Sequence, residues 1–243
     1  AGELDIAYVG TAPPISAIAA GLPAKIVAAV NIKGSDLVVR PDLAYSGPES
    51  LEGLSIGTFP PGSIQDTVMK KWLTDNGVEV SEVDIKAMDP GPAMSALSAG
   101  RIDGVFLPHP APSIVELNGK GKVVVASGEM WPDHACCSLV VTDKLIQEQP
   151  ELVEQIIKTH IKATEYINTH PKEAAEIYSR KTNANITEIE HSIENWDGEW
   201  VSDPNLQIPS TVEYARVDYE MKYTQRELTE EDLFDTSFYE RVS

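Results

Sequence analysis

The chain has little positive charge, almost no cysteine and no long apolar run, and each shortage removes a class of function. Its 243 residues hold 19 Lys and Arg against 38 Asp and Glu, a formal charge of −19. Phosphate backbones are gripped by clustered Lys and Arg, whereas these basic residues are scattered, so a nucleic-acid partner is excluded. No stretch approaches the roughly 18 apolar residues of a membrane span, and the first residues show neither a basic region nor a cleavable apolar segment. Any contact with a membrane is therefore expected only through an anchor that is removed or missing from the N-terminus. The two cysteines, Cys136 and Cys137, are adjacent; a disulfide between neighbours strains the bond geometry, so there is no disulfide framework to read. Also absent are a Gly-x-Ser-x-Gly turn, a Gly-rich loop ending in Lys-Ser or Lys-Thr, and His-Glu-x-x-His. The sequence thus points away from an enzyme and implies no cofactor and no metal.

What is present is an ordinary globular composition, 42% hydrophobic, long enough for two modest lobes with their own cores. The acidity is uneven: Glu188 to Ser243 holds 15 acidic residues against Arg216, Lys222, Arg226 and Arg241. This reads as a solvated surface that favours solubility.

A weak internal repeat organises the chain. Ala1-Gly2-Glu3-Leu4-Asp5-Ile6-Ala7-Tyr8-Val9 matches Ala99-Gly100-Arg101-Ile102-Asp103-Gly104-Val105-Phe106-Leu107. In the second copy a helix over 92–99 is stopped by Gly100 in a left-handed conformation, and a strand follows. The first copy begins at its glycine stop, so the natural protein is expected to extend N-terminally beyond this chain.

Strands are predicted at 54–58, 83–87 and 122–126, with a helix over 64–76 that Ser63 caps and whose buried stripe is Ile64, Val68, Trp72 and Leu73. This alternation argues for a mainly parallel sheet covered by helices. Beyond a strand at 138–141, helices are expected near 150–168, 171–181 and 210–226, and Thr229 to Asp232 has the form of a capping box. Trp196 and Trp200, four apart, suit one helix face packed on the core.

Two strand-turn-helix junctions point unpaired backbone N–H groups forward, the arrangement that binds anions. One is Gly10-Thr11-Ala12 after Val9. The other follows Thr58 and comprises Gly62-Ser63-Ile64-Gln65. A net acidic protein can still hold an anion there, because dipoles and hydrogen bonds act at close range while salt screens distant charge.

Residues 1–10, Ile56-Gly57-Thr58 with Gly62 to Asp66, and Gly100-Arg101-Ile102-Asp103 together resemble the nitrate, sulfonate and taurine class of ABC-importer binding proteins, a family that also includes thiamine-pyrimidine-synthase-like enzymes. The resemblance implies an α/β, two-lobed periplasmic-binding-protein-like fold with crossing hinge strands and a first lobe incomplete at the N-terminus. Lobe I would comprise 1–46 and 135–243, and lobe II 47–134. It also implies an extracytoplasmic protein, periplasmic or at the cell surface, that passes a small anionic solute to a permease and ATPase complex and closes on that solute. The ligand contacts expected are Gly10, Thr11, Ala12, Thr58, Gly62, Ser63, Ile64, Gln65 and His109. His109 stands where relatives often carry an acidic contact, so anion affinity is expected to rise as pH falls. His134-Ala135-Cys136-Cys137 feeds into a strand and reads as structural. An enzyme or a sensor on the same fold remain the alternative readings.

Overall fold

The computed structural model describes residues 3–243. Ala1 and Gly2, which open the first repeat copy, lie outside the described residues. Along the chain run β1 (Ile6–Gly10), α1 (Ala12–Ala19), β2 (Ala24–Ile32), β3 (Ser35–Val39), β4 (Ser55–Thr58), α2 (Ile64–Asp75), β5 (Asp84–Ala87), α3 (Pro90–Ser98), β6 (Gly104–Pro108), α4 (Ala111–Leu117) and β7 (Lys122–Ala126). There follow α5 (Ser127–Met130), β8 (Ala135–Thr142), α6 (Asp143–Glu148), α7 (Pro150–Thr169), α8 (Pro171–Thr182), α9 (Ile186–Asn195), β9 (Glu199–Trp200), α10 (Ile208–Glu220), α11 (Glu230–Leu233) and α12 (Ser237–Glu240).

These elements form two compact units. The first takes the chain up to Lys33 with Asp133–His170 and Glu199–Ser243; the second takes Gly34–Pro132 and Pro171–Gly198.

In the second unit the strand order is β5-β4-β6-β3-β7. The β4 strand pairs parallel with β5 and β6, as the alternating strand-helix pattern requires, whereas β3 runs antiparallel to both β6 and β7. All five residues of β3 are buried. Its Val38 joins Leu97, Ile102, Val105, Leu107 and Val115 in one apolar core. At about 25 cal/mol per Å² removed from water, such a cluster is the main stabilising term of the unit. The glycine stop of the second repeat copy is present: Gly100 has φ +66, its N–H donates to Leu97 O, and Arg101 N–H donates to Ala96 O.

The first unit holds a sheet of order β1-β8-β2-β9 in which every neighbouring pair is antiparallel. The mainly parallel expectation therefore holds only for β5, β4 and β6 of the second unit, whose sheet is otherwise antiparallel. Val153 and Ile157 of α7 pack with Val27, Ala28, Leu139 and Val141 of the sheet and with Phe238. Their spacing of four keeps one helical stripe on the core.

Three expectations are corrected. The lobe boundaries at 46/47 and 134/135 do not match the units, because β3 pairs inside the second sheet and carries residues from 34 onward with it, while His191 of α9 reaches Glu116 of α4 and draws 171–198 into the same unit. Trp196 and Trp200 share no helix face: α9 stops at Asn195, and Trp200 lies on β9. The last long helix ends at Glu220, with Lys222 at φ 62 just beyond it.

Candidate functional site

The start of α2 forms as its sequence dictates. Gly62 takes φ +78, a left-handed turn that glycine adopts without a side-chain penalty. Ser63 is extended and its Oγ accepts from Asp66 N–H at 3.3 Å, a cap worth about 1 kcal/mol. The Asp66 carboxylate accepts from Gly62 N–H at 3.1 Å and pairs with Lys70 Nζ at 2.7 Å, so its charge is balanced beside the helix start. Ile64 and Gln65 occupy the first turn, where backbone N–H groups have no intrahelical acceptor.

Gln65 is buried and its Nε2 donates to Ser35 Oγ at 3.1 Å. Ser35 is fully buried and its N–H donates to Ser127 Oγ at 3.1 Å. Thr58, also fully buried, donates its hydroxyl to Phe106 O at 2.8 Å and so ties β4 to β6 at the strand ends. In the second unit, then, Thr58, Gly62, Ser63, Ile64 and Gln65 follow the carboxyl end of β4, and His109 follows the carboxyl end of β6. Strand ends of this kind are where open α/β sheets receive ligands.

Both ring nitrogens of His109 are engaged. Nε2 lies 2.7 Å from Asp36 Oδ2, and Nδ1 lies 3.0 Å from Ser192 Oγ and 3.2 Å from Ser113 Oγ. Nε2 thus faces a carboxylate and Nδ1 faces two serine hydroxyls, so the ring is held from both sides. Burial pushes the Asp36 carboxyl up, and its contact with His109 pulls it partly back. The histidine therefore joins β3, β6, α4 and α9.

The first unit holds Gly10, Thr11 and Ala12. Thr11 and Ala12 are fully buried. The hydroxyls form a chain: Ser138 Oγ donates to Gln207 Oε1 at 2.7 Å and lies 2.7 Å from Thr11 Oγ1, whose hydroxyl also faces Cys136 O at 3.2 Å. Gln207 Nε2 donates to Asn31 O at 2.9 Å and to Cys137 O at 2.8 Å. Thr11 N–H donates to Cys136 O at 2.8 Å. The Thr11 side chain is thus spent inside the unit. A cavity of 650 Å³ in the same unit, lined by Leu4, Ile6, Leu22 and Val140 among others, includes none of the nine expected contacts.

Sequence reasoning missed Ser35, Asp36, Ser127 and Asp197. The Asp197 carboxylate accepts from Gly34 N–H at 2.9 Å and from Gly128 N–H at 2.6 Å. These residues carry no spacing signature, because their partners lie 30 to 163 positions away.

Residues 1–180 match the NMT1-like family. The chain belongs to it. A protein of Brucella abortus named as a binding protein is 25% identical over 197 residues, covering 80% of this chain and 60% of that protein. The matched region thus spans about three fifths of that relative's length. A protein of Bacillus subtilis named as an aliphatic sulfonates-binding protein is 24% identical over 246 residues, covering 100% of this chain and 73% of its own. Among solved structures, the ligand-binding component of an ABC-type import system from Staphylococcus aureus, with zinc bound, superposes with a TM-score of 0.86 at 17% identity, covering 100% of this chain and 82% of that one. The NMT1-like chain therefore has the α/β fold of periplasmic binding proteins. Among the described residues no group of three or more His, Cys, Asp or Glu could hold a metal, and no helix is long and apolar enough to cross a membrane.

Proposed function

We propose that this chain is the solute-binding component of an ABC importer, acts outside the cytoplasm, and takes a small anion of the aliphatic sulfonate type. One observation carries the reading. The start of α2 presents first-turn N–H groups behind a left-handed Gly62 and a half-buried Ser63, with the nearby Asp66 charge balanced by Lys70. A compact oxyanion accepts hydrogen bonds from such a helix start, where the dipole also favours negative charge. The match of the whole chain to a relative named for aliphatic sulfonates supports the ligand class, and the fold shared with an import-system component supports the partner. The relatives from Brucella abortus and Bacillus subtilis are named as binding proteins, which supports capture and delivery to the permease and ATPase rather than turnover.

In this reading Ser63, Ile64 and Gln65 contact the solute through backbone N–H groups and the Ser63 hydroxyl. Thr58 and His109 act one step back, holding β4, β6 and α9 in place. The test is thermal unfolding against short alkanesulfonates, taurine, nitrate, bicarbonate and thiamine pyrimidine. A ligand at 100 times its Kd adds about 2.7 kcal/mol to the folded form. Ser63→Ala removes the hydroxyl contact and leaves the backbone N–H groups in place, so a sulfonate shift that shrinks in this variant relative to the parent chain supports both solute and place. A sulfonate shift of the same size in Ser63→Ala and the parent chain would move the site elsewhere.

A further inference from the structure

Cys136 and Cys137 sit in β8 where the strand carries one extra residue. Asn31 of β2 pairs with Cys137 and Ile32 with Ala135, so two steps along β8 answer one step along β2 and Cys136 is the inserted residue. In a regular strand neighbouring side chains point to opposite faces. A bulge breaks that alternation and re-aims a side chain. Here it brings the two sulfurs within 3.8 Å, and both cysteines are thiols rather than a disulfide.

The chain around the bulge is pinned. Cys136 O accepts from Thr11 N–H, and Cys137 O accepts from Gln207 Nε2. Cys136 is buried at 5% exposure, Cys137 is half-buried, and Gly10, directly opposite Cys137 on β1, adds no side chain beside it. The pair is thus preset and open from the Cys137 side.

Joining the two sulfurs to each other is disfavoured by the backbone, since consecutive Cα atoms stand about 3.8 Å apart and disulfide-linked ones about 4.4–6.8 Å. Inserting one atom between them is not. Sulfurs held at about 2.3 Å on a bent centre lie about 3.3 Å apart at a right angle and about 3.8 Å apart at the tetrahedral angle, whereas a linear centre would need about 4.6 Å. The spacing therefore fits a bent acceptor. Zinc almost always takes three or four protein ligands, and no third donor completes such a set among the described residues. A trivalent arsenical needs only two sulfurs, because it brings its third ligand as its own organic group.

We propose that Cys136 and Cys137 form a dithiol site for a trivalent organic arsenical. With an arylarsine oxide the bonds from arsenic to oxygen are replaced by two As–S bonds. Both thiol protons leave with the oxygen as one water, and arsenic stays trivalent throughout, so no oxidant or reductant is needed.

The test is intact-mass analysis of the folded chain with phenylarsine oxide, with cadmium chloride as a parallel arm. The expected result is one arsenical per chain, resistant to a monothiol, reversed by a dithiol, and lost in both Cys136→Ser and Cys137→Ser. The adduct should also raise the thermal midpoint, because the bulge already holds the sulfurs at chelating distance. An adduct that survives either substitution, is removed by a monothiol, or lowers the midpoint overturns the proposal. Tight cadmium binding without an arsenical adduct overturns the assignment to a trivalent acceptor. If Cys136→Ser does not fold, the half-buried Cys137→Ser variant decides alone.

Discussion

Asp36 Oδ2 and His109 Nε2 lie 2.7 Å apart with both side chains almost wholly buried. Removing the imidazole leaves a buried carboxyl group without its donor, and breaking a buried pair costs about 3–5 kcal/mol. His109→Ala is expected to fall in that range in urea unfolding near neutral pH, and a loss within experimental error of zero would refute the pairing.

The same carboxyl has a definite pH signature. Burial raises the Asp36 pKa above its unfolded value, against the opposing pull of His109. The folded form therefore holds its proton to higher pH than the unfolded chain does. Its favourable contribution is complete below the unfolded pKa and is lost as pH rises through the folded one. Asp36→Asn should flatten that fall. Unfolding midpoints measured from pH 4 to 7 check it, and slopes that coincide in the native chain and the variant would rule it out.

His160 has the opposite sign. Burial lowers its pKa, partly offset by a 2.6 Å hydrogen bond to Ala29 O. The unfolded chain takes up the proton first, so stability from this residue is present above the unfolded pKa of 6.5 and is lost as pH falls below it. Between pH 7.5 and 5.5 the native chain should lose more stability than His160→Gln does. Equal losses would show that His160 titrates alike in both states.

Trp196 packs against two glycines. A β-carbon on Gly34 would meet its ring at 2.7 Å, and one on Gly198 would also collide with it. Gly34 additionally sits at φ +93, a backbone angle that side chains disfavour. Both Gly→Ala variants should be destabilised by about 1–3 kcal/mol, the usual cost of overpacking. Adding Trp196→Ala should remove the extra cost of Gly198→Ala, yet only part of that of Gly34→Ala, because the backbone strain remains. Equal rescue at both positions would contradict this division.

The parts of the fold that could be read in advance are those with local causes. Ser63 before Ile64, Gly100 after Ser98, and the Thr229 to Asp232 box each act within four residues, and the helices or stops they announce are present. What could not be read depends on distant partners. β3 joins a sheet whose other strands lie 16 or more residues further along, and α9 joins that unit after a long passage through the other. The site divides in the same way. The Ser63 cap was legible, whereas the engagement of Gln65 with Ser35 and of His109 with Asp36 follows only from strand pairing.

Thr11 separates two readings of one residue. A threonine at a strand-to-helix turn invites the view that its hydroxyl contacts an anion, yet it is fully buried and tied to Ser138, which is tied to Gln207. Ser138 links the Thr11 hydroxyl, which also faces Cys136 O at 3.2 Å, to Gln207 Oε1, and leaving a buried polar group unpaired costs about 1–3 kcal/mol. Ser138→Ala takes a partner from both sides at once, so it should cost at least as much as Thr11→Val, which removes one end of the chain. In the double variant Ser138 is no longer present to be deprived, so the losses should be less than additive. Solute affinity, measured by calorimetry at a temperature where all variants are folded, should stay within about twofold for Thr11→Val, a difference of roughly 0.4 kcal/mol. A drop of tenfold or more with little change in stability would instead make Thr11 a direct contact.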